Sequence, residues 1–320
     1  MAEPVIQAQD VVKHFPVASG QLGKAPKILH AVNGVSLTVK KGEIFGIVGE
    51  SGCGKSTLGR CLLRLEDITG GTVRFQGEDI THYSGSKLMP LRRNMQMIFQ
   101  NPYASFDPKQ RIGSALMEVA AVHKLPAKQA QEKILSLLHA INLPEDTLLR
   151  IPSEMSGGQL QRLAIARALL LDPAFIVADE PVSALDVSVQ AQILNLLLEL
   201  RETFSLTMLF ISHEMAVVRH LCDQVAVMYL GTVVEQADTE TLFQNLLHPY
   251  TQALMSAVPS LDPAHKQERV VLQGDLPSAI DLPQGCPFAE RCPKCQAQCR
   301  TERPPLRDAG GGHLVACHLV

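Results

Sequence analysis

The feature that most restricts this chain is a nine-residue run, Gly49-Glu50-Ser51-Gly52-Cys53-Gly54-Lys55-Ser56-Thr57, set between the apolar, β-rich segment Glu43 to Val48 and the apolar helical segment Leu58 to Leu65. Strand, glycine-rich loop and helix in that order form the pattern of a phosphate-binding loop. Glycines at 49, 52 and 54 let the backbone fold tightly, so that successive N–H groups from Gly49 to Gly54, and the start of the following helix, face a β-phosphate. Lys55 adds a point charge across the β- and γ-phosphates; the Ser56 hydroxyl is placed to ligate Mg²⁺, and Thr57, one residue deeper, to reach the α-phosphate. The plainer alternative is a glycine-rich turn that happens to contain Lys-Ser, and the strand before and helix after weigh against it.

Around this loop, short β-rich runs alternate with helical patterns. Glu43 to Val48, Thr72 to Phe75, Met95 to Phe99, Phe175 to Ala178, Thr207 to Ile211 and Gln224 to Tyr229 read as strands, and the alternation predicts an α/β fold. The long helical stretch Ile112 to Leu171, with periodic apolar positions Ile134, Leu137, Leu138 and Ile141, predicts a helical subdomain at about 101–171 inserted into the sheet domain. Ser188 to Thr203 puts Ile193, Leu194, Leu197 and Leu200 on one face, which is ordinary core packing for a helix on a sheet. Beyond Val258 the chain turns rich in proline, glycine and cysteine without a sustained period, so residues 1–255 are expected as the main domain and 256–320 as a loop-dominated, cysteine-rich extension.

Composition limits the functional classes. With 320 residues and 46% hydrophobic content the chain can bury a full core, and a net charge of −3 offers no broad basic field to hold nucleic acid or an anionic membrane. No uncharged apolar run approaches the roughly 18 residues of a membrane span, and none follows a basic start at the N-terminus, so a cytosolic chain is expected. Five of the eight cysteines lie between Cys286 and Cys317; in a reducing compartment they point to metal ligation or free thiols before disulfides.

Two further runs carry chemistry. The apolar strand Phe175 to Ala178 ends in Asp179-Glu180, where a buried strand delivers carboxylates to the sheet edge at which ligands bind. Asp179 would hold Mg²⁺ through water, leaving Glu180 as the general base for an attacking water; on its own such a pair is often only a solvated helix entrance. Shortly before that strand, Ser156-Gly157-Gly158-Gln159, with Met155 ahead of it, starts a helix from Gln159 to Leu171 and makes a second phosphate site at a helix N-terminus. The plainer alternative there is a simple serine N-cap.

This Ser-Gly-Gly-Gln run, standing between the phosphate loop and the Asp-Glu strand, carries a resemblance to the ATP-binding cassette superfamily over about the first 255 residues. The resemblance implies a P-loop ATPase core in which ATP and Mg²⁺ are gripped by the loop of one subunit and by the Ser156 helix of a second, homologous subunit. It also implies roles by order along the chain. Gln100 resembles the glutamine that senses Mg²⁺ and contacts the membrane subunit, and Ser183-Ala184-Leu185-Asp186 the loop that crosses to the opposing site. His213 resembles the switch histidine at the γ-phosphate, and Phe15 the aromatic that stacks on adenine, with a core phenylalanine as its rival. Departures are mild: Met155 where leucine is usual, Leu160 where a basic residue is common, and Glu214 where aspartate often follows the histidine.

Asn101-Pro102-Tyr103-Ala104-Ser105-Phe106-Asp107-Pro108 and His248-Pro249-Tyr250-Thr251 narrow the resemblance to the ATPases of bacterial dipeptide and oligopeptide importers, with nickel and antimicrobial-peptide importers as near alternatives. That branch implies two transmembrane permeases as partners, a substrate-binding protein acting indirectly, and a peripheral place on the cytoplasmic face of the inner membrane. It implies, too, a four-iron four-sulfur cluster held by Cys286, Cys292, Cys299 and Cys317; tetrahedral zinc using Cys292 and Cys295, or unligated thiols, stay open beside it. Cys53, Cys61 and Cys222 read as buried small apolar residues. From other classes, a soluble cassette protein acting on ribosomes or DNA would carry two sets of motifs or a long coiled-coil insertion, and a catalytically silent partner would lack Glu180 or His213; neither pattern is met.

Overall fold

The computed structural model describes residues 3–17, 26–258, 272, 274 and 277–320. Its strands are β1 (Pro4–Val17), β2 (Lys27–Lys40), β3 (Ile44–Val48), β4 (Gly70–Phe75), β5 (Glu78–Asp79), β6 (Met95–Ile98), β7 (Phe175–Asp179), β8 (Met208–Ser212), β9 (Gln224–Tyr229), β10 (Thr232–Asp238), β11 (Arg307–Asp308) and β12 (Leu314–Val315). Its helices are α1 (Lys55–Leu62), α2 (Gly85–Asn94), α3 (Ile112–Val122), α4 (Ala127–Ala140), α5 (Gly157–Leu169), α6 (Val187–Phe204), α7 (Met215–Leu221), α8 (Thr239–Gln244), α9 (Pro249–Ser256) and α10 (Ala297–Thr301). They fall into two compact units, one of residues 1–5, 39–43 and 82–211, the other of 6–38, 44–81 and 212–320.

In the first unit β6, β7 and β8 run parallel, with Met97 beside Val177 and Asp179 beside Ile211. All five residues of β7 are buried, as expected of a central parallel strand covered on both faces. Helix α5 packs against α4 and α6, its Leu160, Leu163 and Leu169 are buried, and Ile134, Leu137, Leu138 and Ile141 are buried as their spacing predicts. Each fully buried aliphatic side chain of this kind contributes about 2 kcal/mol. The predicted helix from Ser188 to Thr203 is α6, whose Ile193, Leu194, Leu197 and Leu200 are buried.

In the second unit β3 is parallel to β9, β9 turns back antiparallel into β10, and β10 pairs with β12, which pairs with β11. A separate four-stranded sheet has the order β2-β1-β4-β5. The long strands β1 and β2 are absent from the sequence expectation. Val35, Leu37 and Val39 of β2 are buried in strict alternation, but Asn33, Gly34 and Ser36 dilute the β signal around them. The tail is less isolated than its composition predicts. Residues 259–271, where the extension was expected to open, lie outside the described residues, but Leu314 and Val315 pair with Gln236 and Glu235 of β10.

Candidate functional site

The glycine-rich loop lies in the second unit, at the carboxyl end of β3. Gly54 caps α1 at φ 104°, and a Cβ there would stand 2.1 Å from the Ala31 carbonyl oxygen; at Gly49 it would stand 2.2 Å from the Met228 oxygen. The loop backbone is therefore pressed against two strands, and only hydrogen fits at either position. Lys55, 4% exposed, folds its ammonium over the loop and donates to the carbonyl oxygens of Gly49 at 2.7 Å and Glu50 at 3.0 Å. Ser56 and Thr57 follow half-buried in the first turn of α1, Ser51 and Gly52 are exposed, and the Cys53 thiol is buried, which pushes its pKa up.

Glu50 is held from beyond the loop. Its N–H donates to the Tyr250 hydroxyl at 2.9 Å, so this amide is committed to α9. Its carboxylate accepts two hydrogen bonds from the Arg291 guanidinium, at 2.7 and 3.1 Å, in the bidentate arrangement that is strongest for such a pair. The carboxylate holds the Arg291 pKa above its ordinary value. Tyr250 stacks edge-on with Tyr229, centroids 4.7 Å apart, and both rings lean on Phe288 at 5.4 and 5.3 Å. Sequence reasoning used Tyr250 only as a mark of kinship and did not single out Arg291; its sole local signal is its place beside Cys292.

In the first unit Asp179 ends β7 with 4% exposure, and Glu180 follows at φ 46°, a left-handed conformation rare for glutamate. Gln100 donates from Nε2 to the Glu180 carboxylate at 3.0 Å and approaches the Ser183 hydroxyl at 3.3 Å, while that hydroxyl donates to the Glu180 carbonyl at 3.0 Å. Three residues singled out separately in the sequence are thus brought together. Asp186, exposed, stands at the N-cap of α6 without a side-chain cap bond.

Ser156 caps α5. Its hydroxyl accepts from the Gln159 N–H at 3.3 Å and its own N–H donates to the Gln159 side chain at 3.0 Å, a reciprocal capping box. A Cβ on Gly158 would stand 2.5 Å from Val189 of α6, and one on Gly157 3.4 Å from Leu185. An open cleft of about 510 Å³ lies here, lined by Ser156, Gly158, Gln159, Arg162, Val189 and Gln192 among others. His213 follows β8 half exposed, its Nε2 3.8 Å from the Glu214 carboxylate. Phe15 is half-buried on β1 with the Lys13 ammonium 4.5 Å above its ring, so the core alternative does not describe it.

Cys286, Cys299 and Cys317 are buried and Cys292 is half-buried. Burial, with the neighbouring Cys299, Cys292 and Cys317 adding to it, pushes the Cys286 thiol up to about 11. Nevertheless, among the described residues no group of three or more His, Cys, Asp or Glu is gathered as a metal ligand set, so the expected four-iron four-sulfur centre, and the zinc alternative at Cys292 and Cys295, find no assembled site. Cys53, Cys61 and Cys222 are buried as their contexts predict.

Residues 32–183 match a family described as ABC transporter, and residues 234–299 one described as oligopeptide/dipeptide transporter, C-terminal region. The chain is 48% identical to the oligopeptide transport ATP-binding protein AppF of Bacillus subtilis, over 99% of this chain and 98% of that one. It is 44% identical to the dipeptide transport ATP-binding protein DppF of Escherichia coli, over 100% of this chain and 96% of that one. Among solved structures it is similar to MJ0796, a bacterial ABC transporter cassette solved as a dimer, at a TM-score of 0.64 and 27% identity over 73% of this chain and 98% of that one.

Proposed function

Because the chain belongs to the ATP-binding cassette family, in the branch of oligopeptide and dipeptide transport ATP-binding proteins, we propose that it binds and hydrolyses ATP to power uptake of di- or oligopeptides through a membrane importer. The observation that carries this reading is the phosphate loop of Gly49 to Thr57, its glycines locked by backbone contact and its lysine buried at the head of α1, in a chain similar over its whole length to ATP-binding proteins of peptide transport.

The residues divide the work as follows in this proposal. Lys55 and the loop amides other than that of Glu50, which donates to Tyr250, bind the phosphates, with Phe15 against the adenine. Ser56, Asp179 and Gln100 offer the hard oxygen donors that suit Mg²⁺, which would supply positive charge to the β- and γ-phosphates. Glu180 takes the proton of the attacking water, and the Gln100 bond at 3.0 Å holds its carboxylate in one orientation. His213 contacts the γ-phosphate. Ser156, Gly157, Gly158 and Gln159, with Asp186, act on the nucleotide of a second cassette subunit, identical or homologous, and the pair works beneath two permeases at the cytoplasmic face of the membrane. Among the described residues no helix is long and apolar enough to cross a membrane, as a peripheral subunit requires. In this proposal Cys286, Cys292, Cys299 and Cys317 offer the soft sulfur donors that suit an iron–sulfur cluster, and their being free thiols, three of them buried, supports it.

The test is uptake of labelled di- and tripeptides into cells lacking this chain, with and without the chain restored. Restoration should return uptake, and Lys55→Ala should not. Peptide uptake undiminished in the deleted cells overturns the peptide assignment.

A further inference from the structure

Two side chains from later in the chain, Tyr250 of α9 and Arg291 of the cysteine-rich tail, reach the phosphate loop at one residue, Glu50, and no part of the hydrolytic scheme uses either. Arg291 stands between Glu290 and Cys292 in the cysteine-rich segment and grips the Glu50 carboxylate with both terminal nitrogens. Tyr250, from the His-Pro-Tyr-Thr turn, takes the Glu50 N–H. Arg291 is itself well fixed: its side chain is 8% exposed, its guanidinium carbon lies 5.9 Å from the centroid of the Tyr229 ring, and one terminal nitrogen reaches the Tyr229 hydroxyl at 3.5 Å.

A carboxylate in this place needs an explanation. Glu50 follows Gly49 directly, and its carbonyl oxygen shares the Lys55 ammonium with that of Gly49. An unpaired carboxylate there would compete for Lys55 or repel a triphosphate, because like charges a few ångströms apart in a partly buried site interact by kilocalories. We propose that Arg291 is a positioning residue for nucleotide binding: it neutralises Glu50 and keeps that carboxylate turned away from Lys55, so that the cysteine-rich tail sets the affinity of the phosphate loop. The inference rests on the loop's being the ATP site and adds the residue that keeps it receptive.

A charge cycle in the full-length chain tests it. Kd for MgADP is measured by calorimetry, and kcat and KM for ATP by steady-state hydrolysis. Arg291→Ala should raise Kd and KM about ten- to hundredfold with kcat within about threefold, the split expected when a charge imbalance acts on phosphate binding. Arg291→Lys, which keeps the charge and loses the fork, should fall between the two. In a Glu50→Gln background the same Arg291→Ala change should shift Kd by less than about threefold, because no carboxylate remains to be neutralised. If Arg291→Ala binds MgADP as tightly as wild type, or loses as much affinity in the Glu50→Gln background as alone, the proposal is overturned; the second result would mark Arg291 as a purely structural residue. Should Arg291→Ala fail to fold by circular dichroism, Arg291→Lys with and without Glu50→Gln reads the same coupling. A wild-type chain that binds no MgADP would instead sink the ATP-site reading itself.

Discussion

Glu180 combines a strained backbone with a restrained side chain. Its φ of 46° costs about 1–2 kcal/mol for a residue with a Cβ, a cost met at the end of a strand whose five residues are all buried. Strain of this sort holds a side chain at a sheet edge where it is used, and the Gln100 bond then fixes its rotation. Glu180→Gln preserves shape and can still accept from Gln100, so it isolates proton acceptance. Steady-state ATP turnover should fall by about 10²–10⁴ while MgADP binding persists; turnover near wild type would remove Glu180 from the base role. Much of this was legible at the residue level because Gly49 to Thr57 and Asp179-Glu180 are local patterns whose meaning lies in adjacent residues. Arg291 and Tyr250 were not, since their contacts with Glu50 span 241 and 200 residues of chain. Reading alone gives no means of pairing an arginine with one glutamate among many across such a distance.

At the scale of elements, the short apolar strands were readable and the long mixed ones were not. β3, β7 and β8 are buried along their whole lengths and are apolar apart from Asp179 and Ser212 at the ends of β7 and β8, whereas β1 and β2 have one wet face and scattered polar residues. The start of α9 shows a further effect that spacing does not reveal. His248 caps the helix through Nδ1, which accepts the Tyr250 N–H at 3.1 Å, and with 1% exposure its pKa is lowered by burial from 6.5 to about 4. Between those values the unfolded chain takes up a proton that the folded chain refuses. Stability is therefore full above about pH 6.5 and falls as the pH drops toward 4, by up to about 3 kcal/mol at some 1.4 kcal/mol per unit. Urea unfolding at pH 7 and pH 4.5 should show a larger loss for wild type than for His248→Asn, whose cap does not titrate. Equal losses in the two chains would show that His248 contributes nothing to the acid sensitivity.

For the whole molecule, the cysteine-rich tail is the part whose chemistry the fold leaves least finished. The proposed cluster at Cys286, Cys292, Cys299 and Cys317 would need thiolate ligands, so metal uptake at these residues is expected to release protons. Metal and acid-labile sulfide analysis of anaerobically purified chain should return about four irons and four sulfides, the composition of the cluster type. Stoichiometric zinc, or no metal at all, would end the iron reading while leaving the ATPase untouched. The tail does not depend on metal alone for its anchorage. Glu235, with no exposed surface, accepts from the backbone of Leu247 and His248 and meets the His313 ring at 2.8 Å. Peeling the C-terminal hairpin from β10 would take the His313 ring away from the buried Glu235 side chain, so this stretch is better understood as a keystone than as an appendage: it completes the polar contacts of a strand that pairs directly with β9.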